Sequence, residues 1–284
     1  MTHDSGAAEH ADLTEQARRA QAADEAAATL AAVESGRKVA KKESWVEVVK
    51  TIVYALLIAG VIRSFLFQPF NIPSGSMEAT LQIGDYLFVS KSTYGFSRYS
   101  FPFGLLPFEG RFAVLSQPQR GDIVVFKFPP DNSTDYIKRL IGLPGDRIQM
   151  RDGVLYINDK AIPKEKIDDY VEPVGEPGSG ETRNVPRYRE TLPNGVSYEV
   201  LDRDPQGNLD NTQVFVVPEG HYFMMGDNRD NSADSRVDVG YVPFENFVGK
   251  AQIIFFSTNG SARIWEVWKW PSAIRYSRLA HFVE

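Results

Sequence analysis

The sequence predicts a mainly β protein: an antiparallel β domain with an inserted β and loop lobe, preceded by one N-terminal transmembrane helix. Three observations carry that expectation. A single apolar segment begins at Trp45, short β-type runs broken by turn residues follow it, and no long amphipathic helix appears beyond it. With 284 residues the chain is long enough to bury a sizeable core, as one large domain or two modest ones.

Residues 1–44 are rich in Ala, Gln and charge and contain no aromatic side chain, so they read as a cytoplasmic tail, helical or disordered. Residues 45–67 read as the transmembrane anchor. Thr51 to Ile62 carries no charge, and a span needs about 20 residues to cross a hydrocarbon core of about 30 Å. Lys50 and Arg63 would therefore snorkel to opposite interfaces, with Trp45 as an interfacial anchor; an ordinary buried helix is the alternative. The segment begins too far into the chain for a cleaved secretory signal. Arg37, Lys38, Lys41 and Lys42 crowd its N-terminal flank, whereas no Lys or Arg occurs between Arg63 and Lys91. That asymmetry puts the tail in the cytoplasm and residues 68–284 outside it.

Beyond the anchor, β-type runs appear at Asp85 to Val89, Asp122 to Lys127, Arg147 to Met150, Val154 to Ile157, Val214 to Val217, Tyr222 to Met225 and Lys250 to Phe256. Turn signals such as Leu143-Pro144-Gly145-Asp146 and Arg151-Asp152-Gly153 separate them. Residues 164–211 carry few apolar runs and many Gly, Pro and charged residues, which marks the inserted lobe.

Composition excludes several chemistries. The chain has no cysteine, so thiolate nucleophiles, disulfides and cysteine-ligated zinc are absent. A net charge of −6 argues against a general nucleic-acid binder. Histidine is nearly absent, and His221, opening a β-type run, reads as a structural residue rather than a member of a Ser-His-Asp triad. The oxygen-rich run Asp227 to Asp234 fails the calcium-loop template started at Asp230, which meets Ser235 where Gly belongs and Tyr241 where Glu belongs. No metal and no cofactor are expected.

Two segments carry nucleophile and base candidates. Ile72-Pro73-Ser74-Gly75-Ser76-Met77 sets two hydroxyls beside a glycine, a pattern also found in plain turns. Asp135-Tyr136-Ile137-Lys138-Arg139-Leu140-Ile141-Gly142 puts a lysine inside an apolar β-type alternation, where Tyr136 shares the face of Lys138, and Ile137 that of Arg139. A strand lysine ordinarily snorkels to water.

These blocks are joined by Arg120-Gly121-Asp122-Ile123-Val124-Val125-Phe126, by Gly142-Leu143-Pro144-Gly145-Asp146, and by Gly226-Asp227-Asn228-Arg229-Asp230-Asn231-Ser232 with Asp234-Ser235-Arg236. In that order, and behind an anchor, the set resembles type I signal peptidases, membrane-anchored serine proteases with a Ser-Lys dyad. The resemblance runs from about Trp45 to Arg236. One departure is Ala79, where the family pattern usually has Pro; it removes a fixed φ but no reacting group.

The resemblance implies Ser76 as nucleophile, Lys138 as general base and Ser232 as the residue orienting the lysine. It implies an oxyanion hole of the Ser76 N–H and the Ser74 hydroxyl. It also implies pockets for small residues at the first and third positions before the scissile bond, lined by Phe70, Ile72, Met77, Leu81, Val125, Tyr136 and Ile137. Asp230, Asp234 and Arg236 would form a supporting ion-pair network. A lysine at its ordinary pKa is neutral only about once in 2,500 at pH 7, so burial must depress it.

The expected partners are preproteins carrying signal peptides, membrane lipid and the secretion machinery, at a bacterial cytoplasmic membrane. The aromatic segment Tyr94 to Phe108, with Trp265, Trp268 and Trp270, is a candidate lipid-facing surface or a packed loop. The rival class is a membrane-tethered, non-catalytic β domain. Self-cleaving repressors with a Ser-Lys dyad would need a DNA-binding segment where this chain has its apolar one, and a Ser-x-x-Lys enzyme fails because Ala79 stands three residues after Ser76.

Overall fold

A computed structural model describes residues 5–65, 67–100, 110–175, 180–262 and 265–283. The chain divides into two compact units, Met1–Gly60 and Val61–Glu284. The first is part of α1 (Ser5–Phe65), whose run of Ala, Glu, Gln and Arg suits a helix by intrinsic propensity. Its apolar side chains at Trp45, Ile52, Val53, Leu56, Leu57 and Ile58 are all exposed. Among the described residues no helix is long and apolar enough to cross a membrane. The expected span 45–67 includes residues 61–66, whose side chains lie outside the described set.

The second unit is mainly antiparallel β, in agreement with the fold class expected. Its strands are β1 (Phe67–Asn71), β2 (Asp85–Ser90), β3 (Ile123–Lys127), β4 (Asp135–Gly142), β5 (Arg147–Arg151), β6 (Val154–Ile157), β7 (Lys160–Ala161), β8 (Lys164–Lys166) and β9 (Tyr170–Pro173). There follow β10 (Thr182–Val185), β11 (Arg187–Thr191), β12 (Ser197–Leu201), β13 (Phe215–Val216), β14 (His221–Met225), β15 (Val242–Pro243), β16 (Phe247–Ser257) and β17 (His281–Phe282). The main sheet runs β1-β2-β16-β3-β4-β14-β15, with β17 added beside β16. Pro69 is accommodated because β1 is an edge strand, where a missing N–H breaks no interior ladder.

Within residues 164–211 lie the β9–β10 hairpin and the three-stranded sheet β12-β11-β8; a further sheet, β13-β5-β6-β7, flanks them. Three apolar clusters make the core. One joins Ile141, Phe223 and Met225 to Ile148, Leu155 and Val200 on the lobe side. A second gathers Ile72, Met77, Leu81, Leu87, Val89, Ile123 and Val125, and a third gathers Tyr94, Val124, Phe126, Leu140 and Phe247. Tyr94 is thus core, while Phe101 to Phe108 of the aromatic segment lie outside the described residues.

Candidate active site

β4 lies between β3 and β14, with Lys138 opposite Val124 and Arg139 opposite both Ile123 and Met225. Despite the ordinary tendency of a strand lysine to reach water, Lys138 is only 4% exposed. Its Nζ donates to Ser76 Oγ at 2.7 Å and to the Ile137 carbonyl at 3.0 Å, and lies 5.4 Å from the centre of the Tyr136 ring. Burial holds this amine at about 8, below the ordinary lysine range, although Asp234 and Asp227 pull it upward. Those carboxylates are already engaged by Arg236 and Arg139, which limits their pull on the amine.

Ser76 sits in a single 3₁₀ turn, Gly75–Met77, entered from an extended Ser74. Asn228 holds that turn in place: its N–H donates to the Ser76 carbonyl at 3.1 Å and its Nδ2 to the Gly75 carbonyl at 2.9 Å. Gly226 permits the close approach, since a Cβ there would lie 2.2 Å from Ser232 Oγ and 2.5 Å from the Ser76 carbonyl oxygen. Ser232 is therefore beside the turn, but its buried hydroxyl has no hydrogen-bond partner among the described residues, Lys138 included. The Ser74 side chain is exposed and makes no bond to the turn.

Of the pocket candidates, Ile72, Met77, Leu81 and Val125 are buried in one apolar cluster, with Phe70 and Ile137 packed half-buried against it. Tyr136 belongs to the cluster on the opposite face of β4, stacked on Phe128 at 4.8 Å. Asp234 and Arg236 form a buried pair at 2.8 Å, and Arg236 also donates to the Arg229 carbonyl. Asp230 stands apart from that pair and accepts from the Arg203 and Asp204 N–H groups at 2.6 and 3.0 Å. His221 lies at the far end of β14, paired with Pro243 and bonded to the Glu219 carbonyl, four residues from Met225.

Sequence reasoning missed the polar frame around the turn. Arg139, fully buried, makes a two-pronged contact with Asp227 at 2.9 and 2.8 Å, and Thr80 donates to the same carboxylate at 2.6 Å. Arg229 makes a similar buried pair with Glu190, which also accepts from the Tyr198 hydroxyl at 2.7 Å. Glu78 is buried against the Gly75 end of the turn, where burial and then Glu172 push its carboxyl up to about 7, against the pull of Arg203 and Arg275. Arg139 inside an apolar β-type run was the available signal, because a buried charge requires a partner.

Chemically, the arrangement sets an amine of lowered basicity on a serine hydroxyl, away from water. At pH 7 a lysine of pKa about 8 is neutral in roughly one molecule in ten. A neutral amine at hydrogen-bond distance can accept the hydroxyl proton, the first requirement of serine activation.

A family model described as signal peptidase, peptidase S26, matches residues 45–256. A Signal peptidase I of Rickettsia canadensis (strain McKiel) is 48% identical over 220 residues, covering 74% of this chain and 79% of that protein. A Signal peptidase I of Rickettsia typhi (strain ATCC VR-144 / Wilmington) is 49% identical over 216 residues, covering 73% and 79%. Among solved structures, a signal peptidase I from Enterococcus faecalis V583 is 30% identical, covers 48% of this chain and 97% of its own, and aligns with a TM-score of 0.27.

Proposed function

This chain belongs to the signal peptidase S26 family and is a serine peptidase that processes signal peptides, and we propose that it does so with Ser76 as nucleophile and Lys138 as general base. The observation that carries the assignment is the 2.7 Å contact between a buried lysine amine and the Ser76 hydroxyl. In this reading the neutral amine takes the hydroxyl proton as Oγ bonds to the scissile carbonyl carbon. The oxyanion is met by the Ser76 N–H and, after a rotation of its side chain, the Ser74 hydroxyl. The resulting ammonium protonates the leaving amine as the C–N bond breaks. A water then gives its proton to the same lysine and attacks the ester carbonyl, and the lysine passes that proton to Ser76 Oγ as the ester bond breaks, releasing the signal peptide. Ser232, beside the turn with an unused hydroxyl, is the group best placed to steady the amine.

Substrates are preproteins with signal peptides. Phe70 and Ile137, half-buried on the apolar cluster of Ile72, Met77, Leu81 and Val125, would offer the small pockets, and Tyr136, on the same face of β4 as Lys138, would wall the amine. Signal peptidase I is a membrane-associated bacterial family. Residues 45–67 as the anchor, 1–44 in the cytoplasm and 68–284 beyond the membrane complete the proposal. Its support is the uncharged stretch Thr51 to Ile62 and the exposed apolar side chains of α1. Exposed Trp265, Trp268 and Trp270 suit contact with the lipid interface, and the secretion machinery remains a proposed partner.

Incubating the purified full chain with a preprotein and locating the cut by mass spectrometry tests class and residues together. Cleavage after a small residue is expected, and Ser76→Ala and Lys138→Ala should each lower the rate by at least about a thousandfold while circular dichroism is unchanged. Cleavage retained in either variant would remove the dyad.

A further inference from the structure

The chain leaves β12 through Asp202-Arg203-Asp204-Pro205-Gln206-Gly207-Asn208-Leu209-Asp210. Measured against a twelve-residue calcium loop, this segment has carboxylates at the first, third and ninth positions and glycine at the sixth. The twelfth position holds Gln213 rather than Glu. The fold supplies a carboxylate from elsewhere: one oxygen each of Asp202, Asp210 and Asp230 lie within 4.8 Å of one another.

Hydrogen bonds divide each carboxylate in the same way. Oδ2 of Asp202 accepts from Lys164 Nζ at 2.6 Å, Oδ2 of Asp210 from the Gly207 N–H at 2.8 Å, and Oδ2 of Asp230 from the Arg203 and Asp204 N–H groups. Among the described residues no hydrogen bond reaches Oδ1 of Asp202, and that oxygen is buried on a side chain only 3% exposed. A buried carboxylate oxygen without a donor is costly, and the Lys164 ammonium bonds to just one of the three carboxylates.

We propose that Asp202, Asp210 and Asp230 form a binding site for a divalent cation, and specifically for Ca²⁺, with their Oδ1 atoms as ligands. Calcium accepts six to eight oxygens at about 2.3–2.6 Å in irregular geometry, whereas Mg²⁺ demands a near-ideal octahedron at about 2.0–2.1 Å. A cluster drawn from two chain segments suits the former. The site has a structural consequence. Asp202 and Asp210 belong to the exit of β12, and Asp230 lies two residues after Asn228, which holds the Ser76 turn. A cation there fastens the lobe to the loop that supports the turn. The inference does not depend on the dyad assignment.

The test is calorimetric titration of CaCl₂ into the detergent-solubilised full chain, freed of metal with a chelator, alongside thermal unfolding. We expect one saturable site with Kd on the order of 10⁻⁴–10⁻³ M and a Tm that rises with Ca²⁺. Asp210→Asn and Asp230→Asn, which keep the side-chain shape, should each weaken binding by at least about tenfold. Asp230 is only half-buried, so its variant reports even if the first fails to fold. Absence of heat and of a Tm change at about 10 mM Ca²⁺, unchanged affinity in Asp230→Asn, or an equal response to Mg²⁺ would each overturn the assignment.

Discussion

Lys138 concentrates the pH dependence of the proposed chemistry in one side chain. Its amine titrates at about 8 against an ordinary lysine value of 10.5, with burial as the chief cause. The reactive form is the neutral one, so kcat/KM for preprotein cleavage should rise about tenfold per pH unit below 8 and level off above it. A rate that falls across that interval, or that follows an imidazole and is lost on substitution of His221, would contradict the assignment. Glu78, at about 7, titrates in the same region. Repeating the profile in Glu78→Gln assigns the limb, because the rise belongs to Lys138 if it survives the substitution. The motif around Ser76 was legible from the sequence, since its residue types appear in order with the other blocks. Asn228 was visible only as one letter of such a block, and its role as the support of the turn emerged from the folded chain.

At the scale of elements, β4 explains why lysine and arginine are both tolerated in one interior strand. Alternation sends Lys138 to Ser76 and Arg139, next in line, to Asp227 on the opposite face. Removing one partner of a fully buried pair strands the other charge. Asp227→Ala should therefore destabilise the protein by about 3–5 kcal/mol, read as a lowered Tm, and Arg139→Met in the same chain should restore part of the loss. A wild-type Tm in Asp227→Ala would show that the pair contributes little. Strands were legible where β-branched and aromatic runs are bounded by turn residues, as at Val154 to Ile157 between Asp152-Gly153 and Asn158-Asp159. β1 was hidden because Phe67 continues the apolar run before it and Pro69 disguises a strand. The division of Asp230 from the Asp234–Arg236 pair was equally hidden, since a local charge cluster does not reveal which loop each carboxylate will cap.

For the whole molecule, the antiparallel sheet brings together residues far apart in sequence: Ser76 after β1, Lys138 on β4 and Ser232 beyond β14. The proposed anchor belongs to this scale as well. Exposed apolar side chains along α1 from Trp45 to Ile58 leave a surface that water penalises and lipid does not. Full-length protein should stay in the membrane pellet after an alkaline carbonate wash, and recovery in the supernatant would refute the anchor. The sequence by itself determined the mainly β class and the likeness to a protease family, and it singled out Ser76 and Lys138 as the proposed reacting pair, because hydrophobic alternation and motif order are local properties written along the chain. Only the tertiary structure decided that Lys138 is buried against Ser76, that Arg139, Asp227, Arg229 and Glu190 frame the turn in paired charges, and that Asp202, Asp210 and Asp230 converge. The pairs Ser76–Lys138, Arg139–Asp227 and Glu190–Arg229 join residues 62, 88 and 39 positions apart, so no short stretch of sequence holds both partners of any of them.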